Sequence, residues 1–71
     1  MIIRVHYTDS GNRKIEQQIE LPEGATVGEL LGQLGNSFSK KMVVINGQVV
    51  MKNSLLQDQS DVYLYSPLAG G

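Results

Sequence analysis

Few side chains in this sequence have the chemistry of a reactive group. His6 is the single histidine, cysteine is absent from all 71 residues, and Asp58 and Asp61 are two carboxylates close together in the chain. Without cysteine there is no thiolate nucleophile, no Cys-ligated zinc and no Fe–S cluster within the chain. His6 falls on the polar face of an alternating run with no acidic orienter near it in sequence, and is read as an ordinary surface histidine. Asp58 and Asp61 precede an apolar alternating run and are read as turn residues. What remains is the end of the chain, Ser66-Pro67-Leu68-Ala69-Gly70-Gly71. A terminal carboxylate on Gly71, with a reference pKa near roughly 3.5, is an anion at neutral pH and a weak nucleophile. Glycine lacks a Cβ, so Gly70 and Gly71 can thread a channel too narrow for other residues. Pro67 holds Ser66 extended and withholds a backbone donor, so strand pairing is expected to stop near Tyr65. That would release a tail of about five or six residues, each adding roughly 3.3 Å of reach. At an average glycine usage of roughly 7%, two glycines end a chain by chance about once in 200, so the pair gains its weight from what precedes it.

Delivery of such a tail needs a rigid body, and the periodicities describe one. From Ile2 to Tyr7 the residues alternate, with Ile3, Val5 and Tyr7 on one face and Ile2, Arg4 and His6 on the other, which is a strand. The turn-rich stretch Thr8 to Arg13 leads to a second strand in which Ile15, Ile19 and Leu21 oppose Lys14, Glu16, Gln18 and Glu20, and the two should pair as an antiparallel hairpin. After Pro22-Glu23-Gly24, the run Thr26-Val27-Gly28-Glu29 fits a capping box at a helix start. Val27, Leu30, Leu31 and Leu34 follow at helical spacing, and Gly35-Asn36 closes the segment. Gly28 and Gly32 each cost about 1 kcal/mol relative to Ala, so this short helix should depend on docking against the sheet. Asn46-Gly47 between Met42–Ile45 and Gln48–Met51 is the favoured pair for a tight type I′ hairpin. Leu55 and Leu56 are expected to tuck inward, and Asp61 to Tyr65 forms the last strand, Val62 and Leu64 alternating with Tyr63 and Tyr65.

Composition narrows the class. Seventy-one residues make one domain with a modest core, and with neither cysteines nor a cluster of histidines it must fold on packing and backbone pairing alone. The net charge is −1, with only the short basic pairs Arg13-Lys14 and Lys40-Lys41, which is not the footprint of a nucleic-acid binder. The amino end shows no signal-peptide pattern, and apolar runs such as Val43-Val44-Ile45 are far too short to span a bilayer. A cytoplasmic protein, monomeric when free and without metal, is expected.

Three stretches resemble the MoaD/ThiS sulfur carriers: Leu21-Pro22-Glu23-Gly24-Ala25-Thr26-Val27-Gly28-Glu29-Leu30-Leu31, Val44-Ile45-Asn46-Gly47-Gln48-Val49-Val50, and Leu56 through Gly71. The last is the most specific. Within it, Leu56-Gln57-Asp58-Gln59-Ser60-Asp61-Val62 resembles the family's Leu-x-Asp-Gly-Asp-x-Val, with Gln59 and Ser60 standing where that pattern has Gly and Asp. The resemblance covers essentially the whole chain. It implies an α+β fold of the β-grasp, ubiquitin-like kind: a mixed sheet of four to five strands with one helix packed across it, in the order β-β-α-β-β-β. It divides the chain into a domain over residues 1–65 and a flexible diglycine tail over 66–71.

The same resemblance implies a function. An adenylating enzyme of the ubiquitin-activating type, similar to MoeB or ThiF, would act on the Gly71 carboxylate using its own ATP and Mg²⁺. Sulfur would then replace AMP to leave a thiocarboxylate, which would serve a molybdopterin synthase large subunit or a thiazole synthase. The chain itself would bind no cofactor and would be substrate and carrier, not enzyme. Partner contacts are expected from Gly70, Ala69, Leu68 and Pro67 in the tail, and from Tyr65, Tyr63 and Val44 on the open sheet face. For the tyrosines two readings stand together, a docking surface and the ordinary preference of tyrosine for strands. A ubiquitin-like modifier conjugated through Gly71, and a β-grasp interaction module with an incidental tail, are the alternatives, and the sequence leaves the molybdopterin and thiamine routes open.

Overall fold

The computed structural model describes residues 1–9, 11–35, 38 and 40–66. Two strands open the chain, β1 (Ile2–Thr8) and β2 (Lys14–Glu20), and pair antiparallel from Ile2↔Glu20 to Thr8↔Lys14. Asp9 organises the turn between them: its Oδ1 accepts from the backbone amides of Gly11 and Arg13, both at 2.9 Å. This is the local side-chain-to-backbone bonding that makes aspartate a turn residue.

Helix α1 (Val27–Leu34) follows, capped as its sequence predicts. Thr26 Oγ1 accepts from the Glu29 amide and Glu29 Oε1 accepts from the Thr26 amide, both at 3.3 Å. The next two amides are satisfied from outside the helix, Val27 donating to the Ser54 carbonyl at 2.9 Å and Gly28 to that of Lys52 at 2.8 Å. These bonds fasten the helix start to the loop that precedes the final strand. At the other end the Gly35 amide donates to the Leu31 carbonyl; Asn36 lies outside the described residues. Val27, Leu30 and Leu31 are buried. At about 1.5–3 kcal/mol per buried aliphatic side chain their docking outweighs the roughly 2 kcal/mol that Gly28 and Gly32 cost the helix.

The second hairpin joins β3 (Met42–Ile45) to β4 (Gln48–Val50), with Ile45 opposite Gln48. Asn46 and Gly47 take φ of 54° and 77°, the pair of left-handed conformations that a type I′ turn requires. The last strand, β5 (Ser60–Tyr65), inserts between the hairpins, parallel to β1 and antiparallel to β3, giving the order β2-β1-β5-β3-β4. It ends at Tyr65, where pairing was expected to stop.

The core lies between one sheet face and the helix: Ile3, Val5, Ile19, Val43, Val62 and Leu64 meet Val27, Leu30 and Leu31, closed by Leu21, Ala25 and Leu56. Phe38 packs against its rim, edge-on to Tyr7 at 5.0 Å. One expectation fails here. Leu55 is 70% exposed while Leu56 is buried. The backbone is extended at this point, with Leu55 bridged to Thr26, so consecutive side chains point to opposite sides and only one leucine can enter the core. Among the described residues no helix is long and apolar enough to cross a membrane.

Candidate functional site

Among the described residues a single helix lies on one side and the other face of the sheet is left uncovered, and strand register determines what that face displays. Val62 and Leu64 point to the helix, so Asp61, Tyr63 and Tyr65 point away. Across the sheet Tyr63 has His6 as its partner on β1 and Val44 as its partner on β3. Val44 in turn faces Val49 on β4, and His6 faces Glu16 on β2. One row therefore runs through all five strands: Glu16, His6, Tyr63, Val44, Val49. The next row toward the end of β5 pairs Tyr65 with Met42. Tyr63 is 40% exposed and Tyr65 49%, so this face carries two large aromatic side chains flanked by Met42, Val44 and Val49.

The expected members of the face are thus assembled: Tyr63, Tyr65 and Val44 share it with Arg4 and His6. Val43 is the buried member of its pair with Val44, which settles the phase of β3. Met42 and Val49 had not been singled out, because a continuous apolar run carries no period from which to choose a face. Pro67, Leu68, Ala69, Gly70 and Gly71 lie outside the described residues. Ser66 is described, and its Oγ accepts from Lys41 Nζ at 3.1 Å.

Two readings of the polar residues are corrected. Asp61 has no turn role; it lies within β5, as the alternation from Asp61 to Tyr65 predicts, opposite Arg4 in the parallel pairing with β1. Its Oδ1 accepts from Arg4 Nε at 2.8 Å and its Oδ2 from Arg4 Nη2 at 3.1 Å, a two-pronged guanidinium–carboxylate pair. His6 does have an acidic partner: its Nε2 lies 2.9 Å from Asp61 Oδ1. An ionised carboxylate only accepts, so Nε2 carries the proton. The Arg4 hydrogen bond first, and that of His6 second, hold the Asp61 carboxyl well below the usual carboxylate range. Asp58 keeps a turn role, accepting from the Ile2 amide at 2.7 Å, a bond that lowers its pKa too.

Arg4 is itself anchored on the turn before β5, donating through Nη2 to the Gln59 carbonyl at 2.9 Å and through Nη1 to Gln59 Oε1 at 3.2 Å. Gln59 has φ 65°, so it adopts the left-handed conformation for which glycine would be the ordinary choice. Beyond Asp61 the rings stack, His6 on Tyr63 at 4.5 Å and 14°, and Tyr63 on Tyr65 at 6.5 Å and 9°. Where β1 and β5 separate, a shallow groove of about 400 Å³ opens, lined by His6, Lys14, Glu16, Tyr63 and Tyr65 among others.

A five-stranded mixed sheet with one helix across it, a tight Asn-Gly hairpin and a final strand entering between the two hairpins defines a ubiquitin-like β-grasp protein. The chain belongs to the ThiS family, whose model matches residues 6–71, and it is a small ubiquitin-like protein of the sulfur-carrier kind. Among solved structures it is similar to SAMP1 from Haloferax volcanii, with a TM-score of 0.73 at 18% identity over 100% of both chains, a likeness of fold. No curated protein matches it in sequence.

Proposed function

We propose that the chain is a sulfur carrier whose reactive group is the carboxylate of Gly71. The observation that carries this reading is that the ThiS family match continues past the last strand, through Gly70 and Gly71. In the proposed cycle an adenylating enzyme of the ubiquitin-activating type joins the Gly71 carboxylate to the α-phosphate of ATP, releasing pyrophosphate; ATP and Mg²⁺ are bound by that enzyme. A persulfide sulfur then attacks the acyl carbon and AMP leaves. A second thiol cleaves the resulting acyl disulfide, and the product is a C-terminal thiocarboxylate. The thiocarboxylate gives its sulfur to a synthase, either thiazole synthase or the large subunit of molybdopterin synthase. The chain supplies no catalytic side chain and is substrate and carrier throughout.

The body of the protein contributes by docking. Tyr63, Tyr65 and Val44, with Met42 and Val49 beside them, form the face that the adenylating enzyme covers, and Pro67, Leu68, Ala69 and Gly70 lead Gly71 into its cleft. Aromatic residues on an open apolar face are the usual anchors of such interfaces. Glycines at the last two positions leave no side chain to obstruct the approach of the carboxylate to the nucleotide.

The test is an intact-mass measurement. Incubated with the adenylating enzyme, ATP and a persulfide donor, the carrier should gain the mass difference of one oxygen replaced by sulfur, mapped to Gly71. Transfer of that sulfur to only one of the two synthases would name the route. Modification mapped to any other residue, or recovery of isopeptide conjugates without any thiocarboxylate, would refute the carrier reading.

A further inference from the structure

The polar residues of the open face form a connected chain that leads to its aromatic pair. Gln59 holds Arg4, Arg4 holds Asp61 through two bonds, Asp61 holds the His6 ring, and His6 lies flat against Tyr63, which lies parallel to Tyr65. We propose that Asp61 is a positioning residue: by fixing the His6 ring against Tyr63 it sets the orientation in which Tyr63 and Tyr65 meet the adenylating partner. The inference rests on the docking face proposed above.

The physical need is clear from the surroundings of the two rings. Tyr63 and Tyr65 stand on an uncovered sheet face, 40% and 49% exposed, and an exposed ring that must adopt one rotamer on binding loses freedom at that moment. On the β3 side Tyr63 has only Val44 opposite it, whereas on the β1 side it has a planar ring 4.5 Å away. That ring is itself held: the His6 side chain is 23% exposed, with Asp61 Oδ1 at 2.9 Å from Nε2. Glu16 Oε1, at 3.9 Å from Nδ1, is too distant to hold it by a hydrogen bond. Asp61 is therefore the group that restrains the imidazole, and Arg4 keeps the carboxylate in place. Asp58 offers an internal contrast, since its carboxylate is spent on the Ile2 amide and not on the face.

The test compares Asp61→Ala, Asp61→Asn, Tyr63→Ala and the double variant Asp61→Ala/Tyr63→Ala, with Asp58→Asn as the carboxylate control. Two readouts are needed. The first uses the free protein: ring-proton NMR shifts of Tyr63 should move toward unstacked positions in Asp61→Ala, move less in Asp61→Asn, which keeps an acceptor oxygen, and stay in place in Asp58→Asn. The second is ATP–pyrophosphate exchange catalysed by the same organism's ubiquitin-activating-type adenylating enzyme. There Asp61→Ala should raise the carrier KM about fivefold at unchanged kcat, the scale of ordering one exposed side chain on binding. The double variant should match Tyr63→Ala alone, because Asp61 acts through that ring. Unmoved Tyr63 shifts in Asp61→Ala would overturn the inference, and so would additive losses in the double variant, which would mean that Asp61 touches the partner directly. Failure of the underlying docking reading looks different: the ring shifts would move as expected in Asp61→Ala, yet Tyr63→Ala would leave KM unchanged.

Discussion

Val62 and Tyr63 are adjacent in β5 and face opposite ways, so a pair of alanine substitutions separates stability from docking. Val62 is fully buried against the helix. Val62→Ala removes two carbon groups at about 0.8 kcal/mol each and leaves a cavity worth roughly another 1 kcal/mol, about 2.5 kcal/mol in all. A 71-residue domain has a total stability of about 4–10 kcal/mol and an unfolding entropy near 0.15 kcal/mol/K, so the variant stays folded with its thermal midpoint lowered by about 15 °C. Partner affinity should be unchanged, because no atom on the open face is altered. Tyr63→Ala opens no enclosed cavity, because the ring stands 40% exposed on the open face, and it gives up a stacking on His6 worth about 0.5–1.5 kcal/mol, so its midpoint should fall by no more than roughly 10 °C. As a central aromatic anchor it should nevertheless cost about 2 kcal/mol of binding, close to a thirtyfold loss of affinity.

The assay is calorimetric affinity for the adenylating enzyme set against the thermal midpoint for each variant. If Tyr63→Ala collapses the midpoint while Val62→Ala leaves it in place, the phase assigned to β5 is wrong. If both midpoints behave as expected but Tyr63→Ala binds normally, the open face is not where the partner docks.

Three further outcomes follow from particular groups. Because the folded pKa of Asp61 lies below its ordinary value of 3.8, its contribution to stability is complete above that value and is lost as pH falls through the folded range; between pH 5 and pH 2 the midpoint of the unmodified protein should therefore drop more steeply than that of Asp61→Asn, measured by thermal melts. Gln59→Gly relieves a left-handed conformation at some cost in unfolded-state entropy and should stabilise by about 0.5 kcal/mol in a denaturant titration; a loss of more than about 1 kcal/mol would show that the Gln59 side chain on Arg4 matters more than the backbone. Gly70→Val, or one residue added after Gly71, should abolish adenylation while the midpoint and the binding of the body stay as they were, and a normal rate of acyl-adenylate formation in either would remove the terminus as the reactive group.

The parts of the fold that were legible in sequence are those set by local chemistry. Thr26 and Glu29 announce a helix start because both partners of the capping box lie within four residues. Asn46-Gly47 announces a hairpin because few other pairs accept two left-handed conformations in succession. The alternation of Val62, Tyr63, Leu64 and Tyr65 displays two faces directly. What escaped depends on pairing between distant segments. His6 and Asp61 are 55 positions apart and meet only because β5 runs parallel to β1. The period that places Tyr63 and Tyr65 on the open face extends back to Asp61, the first residue of the expected last strand, and that was the available signal that its carboxylate shares the face of His6. Gln59 is the opposite case, where the side chain departs from the family pattern while the backbone keeps the conformation that the patterned glycine would supply.

The position of β5 links the two halves of the proposed function. It is paired on both sides, through Ser60 to Tyr63 with β1 and through Val62 to Tyr65 with β3. A chain end leaving an edge strand would hang from one ladder and could peel away under load; one leaving a central strand is held by two. The same six residues also present Tyr63 and Tyr65 to the outside and bury Val62 and Leu64 inside. The proposed docking anchors and the point of departure of the tail thus belong to one doubly paired strand, with Tyr65 at once the last paired residue and the outermost ring of the stack. A partner that grips the two tyrosines fixes the origin of the tail to within the tolerance of that strand. In the proposed cycle the tail thus starts from a fixed point when it carries the Gly71 carboxylate to the nucleotide, which is the geometric condition that such a reaction requires.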